Sequence, residues 1–367
     1  MSRPDTTPRA RLMRDAGLTA GGFVILLLLP VLFDSRWLMD FVIYVVAYGL
    51  LALSLNLLTG YTGLVSFGHA AYFASGAYSF GLLMQSGSVS VPVAFFAALA
   101  ITAFMALIVG AICVRLTEIY FAFLTLAFQM LFHSIILTWV SLTGGDQGLM
   151  GGIPKPSFWG IDLADDRTFY VVACTLFVIC AFVLRQVTQS PFGYALRMIR
   201  DNEERAVFLG IDIYRTKLTA FVIAGTIAGA GGIVLALFVS GAYPDFGFWT
   251  TSGEAIFMVM LGGTQTFLGP LVGAIVLQFL NGALTAYTDH SELVLGVVIL
   301  IAVLGLRRGL LDFANEVWTR RRSGTGGGLP APNDPQPEAP GPHGTPGARA
   351  ADPTTRDNGD TGDERTA

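Results

Sequence analysis

The sequence predicts an all-α integral membrane protein with about ten transmembrane helices, some of them broken or re-entrant. Of its 367 residues, 53% are hydrophobic and 13% are charged, against about 25% charged in soluble domains. Several long stretches carry no Asp, Glu, Lys or Arg, and each could hold at least one spanning helix of about 20 residues. A large soluble core could explain one such stretch but not four. They lie between Asp40 and Arg115, Glu118 and Asp146, Lys217 and Asp245, and Glu254 and Asp289.

Ten apolar segments are the expected spans. The first follows a basic start, as in a signal peptide, but no small-residue cleavage pattern follows its apolar core, and we interpret it as a retained helix. The eighth is short, which indicates a half-helix or re-entrant segment; such backbone needs protein or a water-filled cavity around it. In order, the spans are 18–34, 38–59, 64–84, 90–113, 120–142, 169–187, 218–241, 253–266, 268–287 and 292–306.

Lys and Arg residues predict the orientation, because they are enriched in cytoplasmic loops. With the N-terminus inside, the outer side carries only Arg36, Lys155 and Arg167. This bias places both termini and residues 188–217 in the cytoplasm. The inner side then holds Arg3, Arg9, Arg11, Arg14, Arg115, the basic residues from Arg185 to Lys217, Arg307, Arg308 and Arg320 to Arg322.

The expected domains follow from these spans. Residues 1–17 form a cytoplasmic N-terminal segment and residues 18–306 the transmembrane domain, whose external loop at 143–168 is long enough to suggest a function. Residues 307–322 are a basic membrane-proximal segment. Residues 323–367 are polar with almost nothing apolar to bury, which predicts a disordered tail.

Residues 188–217 concentrate charges of both signs between apolar runs. Ser190 and Pro191 predict a helix start, and an apolar stripe at i, i+4 and i+7 follows. Asn202 predicts the N-cap of a second short helix, and Gly210 its stop. Two alternatives stay open: a helix pair lying on the inner leaflet, or a rigid knob docked into a cytoplasmic partner. The stripe consists of Phe192, Leu196 and Ile199, and the second helix carries Glu203 and Glu204 in its first turn and ends in Val207, Phe208 and Leu209.

The chain shows no nucleotide-binding motor of its own. Its two lysines, Lys155 and Lys217, lie outside any GxxxxGK[ST] pattern, so the phosphate-cradling Walker A loop is absent from the sequence. Neither the three cysteines nor the acidic residues have metal-ligand spacing, and we predict no catalytic or metal site. If ATP drives this protein, the ATPase is a separate subunit.

Polar residues inside the expected spans are candidates for a transport pathway. Glu254 begins an apolar segment, where a carboxylate is costly and often functional; it could equally cap its helix. The others could face a pathway or form interhelical hydrogen bonds, which is the commoner fate. The candidates are Asn56, His69, Gln129, His133 and Glu254.

Five blocks in order resemble the permeases of ABC importers for branched-chain amino acids, specifically the LivM-type subunit. They cover about 40–310 and begin at Leu53 (LSLNLLTGYTGLVSFGHAAYFASGAY), Tyr120 (YFAFLTLAFQ), Thr143 (TGGDQGL), Phe192 (FGYALRMIRDNEERAVFLG and onward) and Met258 (MVMLGGTQTFLGPLVGA). Inside the fourth block, three residues match the E-A-A-x-x-x-G coupling motif of ABC importers, while Arg205 departs from it at the middle Ala. The matching residues are Glu204, Ala206 and Gly210.

The resemblance implies a heteromeric importer in the bacterial inner membrane. A second homologous permease would complete the pathway, two cytoplasmic ABC ATPase subunits would bind ATP and Mg, and an extracytoplasmic solute-binding protein would deliver cargo. This chain would itself hold no cofactor and no nucleic acid. Residues 188–217 would be its cytoplasmic coupling helix region, with contacts to the ATPase from Arg197, Arg200, Asp201, Glu203, Glu204, Ala206 and Gly210.

Other function classes remain as alternatives. Urea, short amides or other amino acids are cargo of similar permeases. An ion-coupled secondary transporter usually places acids deep in the membrane, and here Glu254 is the sole candidate. A membrane enzyme is disfavoured because the acids of the outer loop lack His partners.

Overall fold

The computed structural model describes residues 21–22, 35–149, 152–155, 162–287, 293–297, 300 and 310. Regular structure in these residues is helical, which fits the expected all-α class. Two 3₁₀ turns, Gly145–Gln147 and Pro244–Gly247, interrupt the connections. The helices are α1 (Arg36–Thr59), α2 (Ala70–Gln85), α3 (Val91–Cys113), α4 (Glu118–Thr138), α5 (Val140–Thr143), α6 (Asp166–Gln189), α7 (Pro191–Asp201), α8 (Glu203–Phe208), α9 (Ile213–Val239), α10 (Trp249–Gly262) and α11 (Gly269–Tyr287).

Five of the described helices are long and apolar enough to cross a membrane: α1, α3, α4, α6 and α9. They coincide with expected spans to within a few residues at most ends. Nearly all of the expected first span, 18–34, and most of the last one, 292–306, fall outside the described residues. So do segment 1–17, the tail 323–367 and nearly all of 307–322. The count of ten helices therefore stays a prediction.

Three expected spans differ from the helices that form. The third was expected from residue 64, but α2 begins only at Ala70, because the preceding residues include Gly63 at φ 79° and run without helical hydrogen bonds. The fifth breaks at Trp139, which has φ −89° and ψ 58°, outside the helical region. The eighth is short, as predicted: α10 has 14 residues and ends before Gly263 at φ 106°.

Helix α9 is the centre of the bundle and packs against α1, α2 and α3. Its small residues allow this close approach. Gly225 and Gly229 face Ala106 and Thr102 of α3, where an added Cβ would lie 2.8 Å from each. Larger side chains at these positions would push the helices apart, so these small residues serve helix packing.

Contacts at one end of the bundle join the connections that were expected inside. The Tyr214 hydroxyl at the start of α9 donates to the Ala111 carbonyl near the end of α3, at 3.2 Å. The Arg185 guanidinium near the end of α6 lies over the Phe267 ring, between α10 and α11, at 5.8 Å.

Contacts at the other end join the connections that were expected outside. Arg36 at the start of α1 pairs with Asp166 at the start of α6, at 2.6 Å. The backbone N–H of Leu149 donates to the Ala242 carbonyl at 2.8 Å. The two groups of contacts agree with the predicted alternation of the helices; which end faces the cytoplasm stays a prediction.

Candidate functional site

Helix α7 forms where its sequence predicts. The Ser190 hydroxyl accepts from the backbone N–H of Gly193 at 3.4 Å, and Pro191 occupies the first helical position. Leu196 and Ile199 are 0% and 2% exposed and pack inward. The apolar stripe therefore attaches α7 to the transmembrane bundle.

Helix α8 also has the predicted caps. The Asn202 side chain accepts from the backbone N–H of Arg205 at 2.8 Å. At the other end, Gly210 has φ 81°, and its N–H bonds to the Val207 carbonyl at 2.9 Å while Ile211 N–H bonds to the Ala206 carbonyl at 3.1 Å. This pair of bonds is a Schellman motif, which needs a left-handed residue and so favours glycine. Both ends of α8 are thus held in one geometry.

Two predicted coupling residues, Arg197 and Arg200, reach back to their own chain. Arg197 donates to the Thr188 carbonyl at 2.9 Å and lies over the Tyr61 ring at 5.1 Å. Arg200 donates to the Gly60 carbonyl and pairs with its neighbour Asp201 at 3.3 Å. These arginines tie α7 to the connection between α1 and α2.

The acids of α8 have unlike surroundings. Glu203 pairs with Lys217 of α9 at 2.5 Å, and the Lys217 side chain is 3% exposed against 46% for Glu203. Glu204 is exposed and forms no ion pair with the described residues. Ala206 is 1% exposed, so it fills space beneath α8. Of the two acids, only Glu204 is free for an external partner.

One strongly exposed part of this region is apolar. Val207, Phe208 and Leu209 are 56%, 89% and 62% exposed, and we call them the α8 tip. Exposed apolar residues that form one patch on a rigid support mark interaction sites. Sequence reasoning identified this end as apolar but assigned the contacts to the charged residues. Its position directly before the Gly210 stop is the signal that could have identified it.

Inside the bundle, Gln129 of α4 belongs to a hydrogen-bonded chain. Its amide N–H donates to the Gly247 carbonyl at 3.2 Å, and its carbonyl oxygen accepts from the Ser252 hydroxyl at 2.8 Å. The Ser252 oxygen in turn accepts from the backbone N–H of Ala70 at 2.9 Å. Gln129 and Ser252 are both 0% exposed.

His69 extends this chain, because it directly precedes Ala70. Its Nε2 lies 2.9 Å from the Ser54 hydroxyl of α1, and Ser54 donates to the Leu51 carbonyl at 2.8 Å. The connected residues, which we call the buried relay, are Ser54, His69, Ala70, Gln129, Ser252 and Gly247. It links α1, α2, α4 and α10, and sequence reasoning missed its two serines, which are common in spans and carry no distinctive pattern.

The pathway candidates do not form a single site. His69 and Gln129 both belong to the buried relay. Asn56 lies near the C-terminal end of α1 and is buried, and its side-chain oxygen has no hydrogen-bond partner in the described structure. Glu254 is half-buried on α10, close enough to Tyr48 for its charge to act there. The His133 ring nitrogen Nδ1 lies 3.2 Å from the Pro244 carbonyl.

In the described ranges, no three His, Cys, Asp or Glu side chains lie together in positions that could hold a metal ion. The candidate functional residues lie in two places: the exposed α7–α8 region and the polar interior of the bundle.

Known proteins resemble the chain over most of its length. It is 28% identical over 304 residues to the high-affinity branched-chain amino acid transport system permease protein LivM of Escherichia coli K12, covering 76% of this chain and 70% of that protein. LivH of the same organism is 21% identical over 284 residues, covering 72% and 91%. The ribose import permease protein RbsC of Bacillus subtilis is 32% identical over 138 residues, covering 35% and 42%.

No solved structure shows significant similarity to the chain. The profile of one family, described as branched-chain amino acid transport system / permease component, matches residues 37–303. This match spans well over half of the sequence and includes every described helix from α1 to α11 apart from the first residue of α1. The chain therefore belongs to the branched-chain amino acid transport system permease component family.

Proposed function

We propose that this chain is a membrane permease subunit of an ATP-driven importer in the bacterial inner membrane. With a second homologous permease it forms the pathway for amino acids, and branched-chain amino acids are the first cargo to test. The family match supports the class, and the relatives LivM and LivH support the cargo. The observation that carries the coupling role is the exposed α8 tip on a region that Arg197 and Arg200 hold to the bundle.

The α7–α8 region is suited to transmit force. Its tip is accessible to a cytoplasmic partner. Arg200 donates a hydrogen bond to the connection between α1 and α2, and Glu203 forms an ion pair with Lys217 of α9. A partner that moves the tip therefore moves three central helices. Two ABC ATPase subunits would be that partner, with ATP and Mg bound to them, since the sequence has no Walker A loop.

Within the bundle, the pathway candidates take different roles. Gln129 acts as a tie between helices, because both its amide N–H and its carbonyl oxygen are used in the buried relay. His69 is tied to Ser54 through Nε2, while its Nδ1 has no hydrogen-bond partner in the described structure. Asn56 and Glu254 stay candidates for direct contact with cargo. The external loop would receive a solute-binding protein and is anchored at Leu149 to the end of α9. Both termini would be cytoplasmic.

Sugar transport is the second candidate cargo class. The ribose permease RbsC of Bacillus subtilis and the arabinose permease AraH of Azospirillum brasilense each align with 35% of this chain. These alignments are shorter than the LivM alignment, which covers 76%. Amino acids are therefore the favoured cargo.

Uptake by the reconstituted complex tests the proposal. The full-length chain, with its second permease and ATPases in liposomes, should accumulate radiolabelled leucine, isoleucine or valine when ATP and the loaded binding protein are supplied. Uptake of ribose without uptake of amino acids would contradict the proposal that amino acids are the cargo. Uptake by this chain alone, driven by an ion gradient without ATP, would overturn the importer class.

A further inference from the structure

We propose that Asp245 is a cargo-binding residue that contacts the ammonium group of a zwitterionic amino acid. This inference rests on the proposed function and names the site within it. Asp245 lies between α9 and α10, on a segment with a short 3₁₀ turn, Pro244–Gly247. We call residues 240–248 the α9–α10 segment.

The α9–α10 segment lies at membrane depth. Its Gly247 carbonyl accepts from Gln129, which lies midway along α4. The Phe246 ring lies 6.0 Å from that of Phe73, in the first turn of α2. Ala242, in contrast, bonds to Leu149 at the outer end. The segment therefore descends from the outer end of the bundle into its middle before α10 begins.

Non-helical backbone at this depth must face protein or water. Lipid cannot hydrogen-bond exposed peptide groups, so such a segment survives only when protein shields it or when it lines a water-filled cavity. One side of the segment is covered by α2 and α4. The other side is open, with Tyr243 and Trp249 at 42% and 50% exposed. The open side therefore belongs to the pathway or to the second permease, and not to lipid.

Asp245 adds a charge to the exposed part of this segment. Its side chain is exposed, and its carboxylate makes no hydrogen bond or ion pair with the residues described. Its backbone carbonyl is fixed by the Thr251 hydroxyl at 2.8 Å, so the position is rigid. An ionised carboxylate facing hydrocarbon is costly, and intramembrane acids usually face water and serve binding or relay. An unpaired carboxylate at this position is an acceptor for a cation.

A second polar group points to the same ligand. Tyr78 of α2 is 4% exposed, and its hydroxyl has no hydrogen-bond partner in the described structure. It lies within electrostatic range of Asp245. A buried hydroxyl without a partner is unusual in proteins and calls for an explanation. As a donor within electrostatic range of an acceptor, it suits the carboxylate of a molecule whose ammonium group meets Asp245.

The surrounding side chains suit an apolar cargo. The Tyr243 and Phe246 rings meet edge to face at 5.8 Å, which gives the site an aromatic wall next to its charge. An amino acid with an aliphatic side chain offers an ammonium group, a carboxylate and an apolar side chain. These match the Asp245 carboxylate, the Tyr78 hydroxyl and the aromatic wall, respectively. A neutral sugar has no cation for Asp245.

Uptake and ATP hydrolysis, measured on the same reconstituted complex, test the inference. D245N should lower leucine uptake about tenfold, the scale of one charge-assisted hydrogen bond, while ATP hydrolysis stimulated by the loaded binding protein stays within about twofold, because the coupling region is intact. D245E should restore part of the uptake. The matched control is D40N, which removes another exposed acid at the outer end of α1 and should transport normally.

Thiol labelling keeps the inference testable if D245N folds poorly. In the complex with the three native cysteines replaced by alanine, D245C should react with a membrane-impermeant cationic thiol reagent, and excess leucine with its binding protein should slow the reaction. F104C, midway along α3 on an exposed apolar face, should stay unreacted. An unreactive D245C, or normal uptake by D245N, overturns this inference and leaves the importer standing. If the wild-type complex transports no amino acid, the proposed function itself is wrong.

Discussion

The interior of the bundle and the α7–α8 region place their side chains in opposite ways. In the bundle, four polar side chains of the buried relay are 0% exposed, and most of their polar atoms are paired with one another or with the backbone. In the α7–α8 region, Arg197 and Arg200 turn inward, and Phe208 is 89% exposed. Polar groups hidden from lipid fix helix positions, whereas an exposed apolar tip on a capped helix indicates an interaction surface.

The largest effect is expected at the α8 tip. F208D places a charge where an apolar contact with the ATPase is expected, and truncation of an aromatic at the centre of an interface commonly costs about 2–4 kcal/mol. ATP-dependent uptake should fall about a hundredfold, while the thermal stability of the isolated subunit stays unchanged. F208L keeps the apolar surface and should retain most uptake. Wild-type uptake by F208D would show that the tip is not the contact.

A substitution in the buried relay should lower the stability of the subunit without changing the α8 tip. S252A leaves the Gln129 oxygen and the Ala70 N–H without a partner, and each such loss costs about 1–3 kcal/mol. The apparent melting temperature in detergent should drop clearly. The control is T226A, whose hydroxyl bonds only to Val222 of its own helix at 2.7 Å and which should cost less than about 0.5 kcal/mol. Equal melting temperatures for both variants would contradict the role of the relay.

Glu203 and Glu204, the two adjacent acids of α8, allow a matched pair of substitutions where the α7–α8 region meets the bundle. E203Q leaves Lys217 charged at 2% exposure, so it should destabilise the subunit by about 1 kcal/mol, less than a fully buried pair because Glu203 is half-exposed. E204Q changes an acid without an ion pair and should not alter the melting temperature. If Glu204 instead contacts the ATPase, E204Q should raise the ATPase concentration needed for half-maximal uptake.

The smallest effect concerns pH at the start of α6. Hydrogen bonds from the Thr168 hydroxyl and backbone N–H hold the pKa of Asp165 below its usual value. Because the folded state has the lower pKa, this stabilisation is complete above the unfolded value of about 3.9 and is lost as the pH falls through the folded value. The melting-temperature gap between wild type and D165A should therefore be constant near neutral pH and shrink as the pH falls below about 4. D165N caps the helix without titrating, so its gap to D165A should stay constant.

The sequence predicted those features that depend on local chemistry. The caps of α7 and α8 at Ser190, Asn202 and Gly210 follow from side chains within three residues of each helix end. The long apolar spans follow from composition. These elements are set by short-range interactions, and a single sequence contains all the information they need.

The sequence did not predict features that depend on distant contacts. Ser54 and Ser252 gain their meaning only because α1, α2, α4 and α10 meet, and the late start of α2 at Ala70 reflects packing of residues 60–69 against other elements. The inward direction of Arg200 likewise depends on Gly60, 140 residues earlier in the chain. Sequence spacing carries no signal for such pairs.

Two backbone hydrogen bonds attach the external loop to the segment that carries Asp245. Leu149 N–H donates to Ala242 at 2.8 Å and Ile153 N–H to Ser240 at 3.0 Å. A protein that lands on this loop and displaces it therefore pulls on residues 240–242, three residues before the proposed cargo contact. Under the proposed function, docking of the solute-binding protein on this loop would therefore act on the cargo contact directly through the backbone.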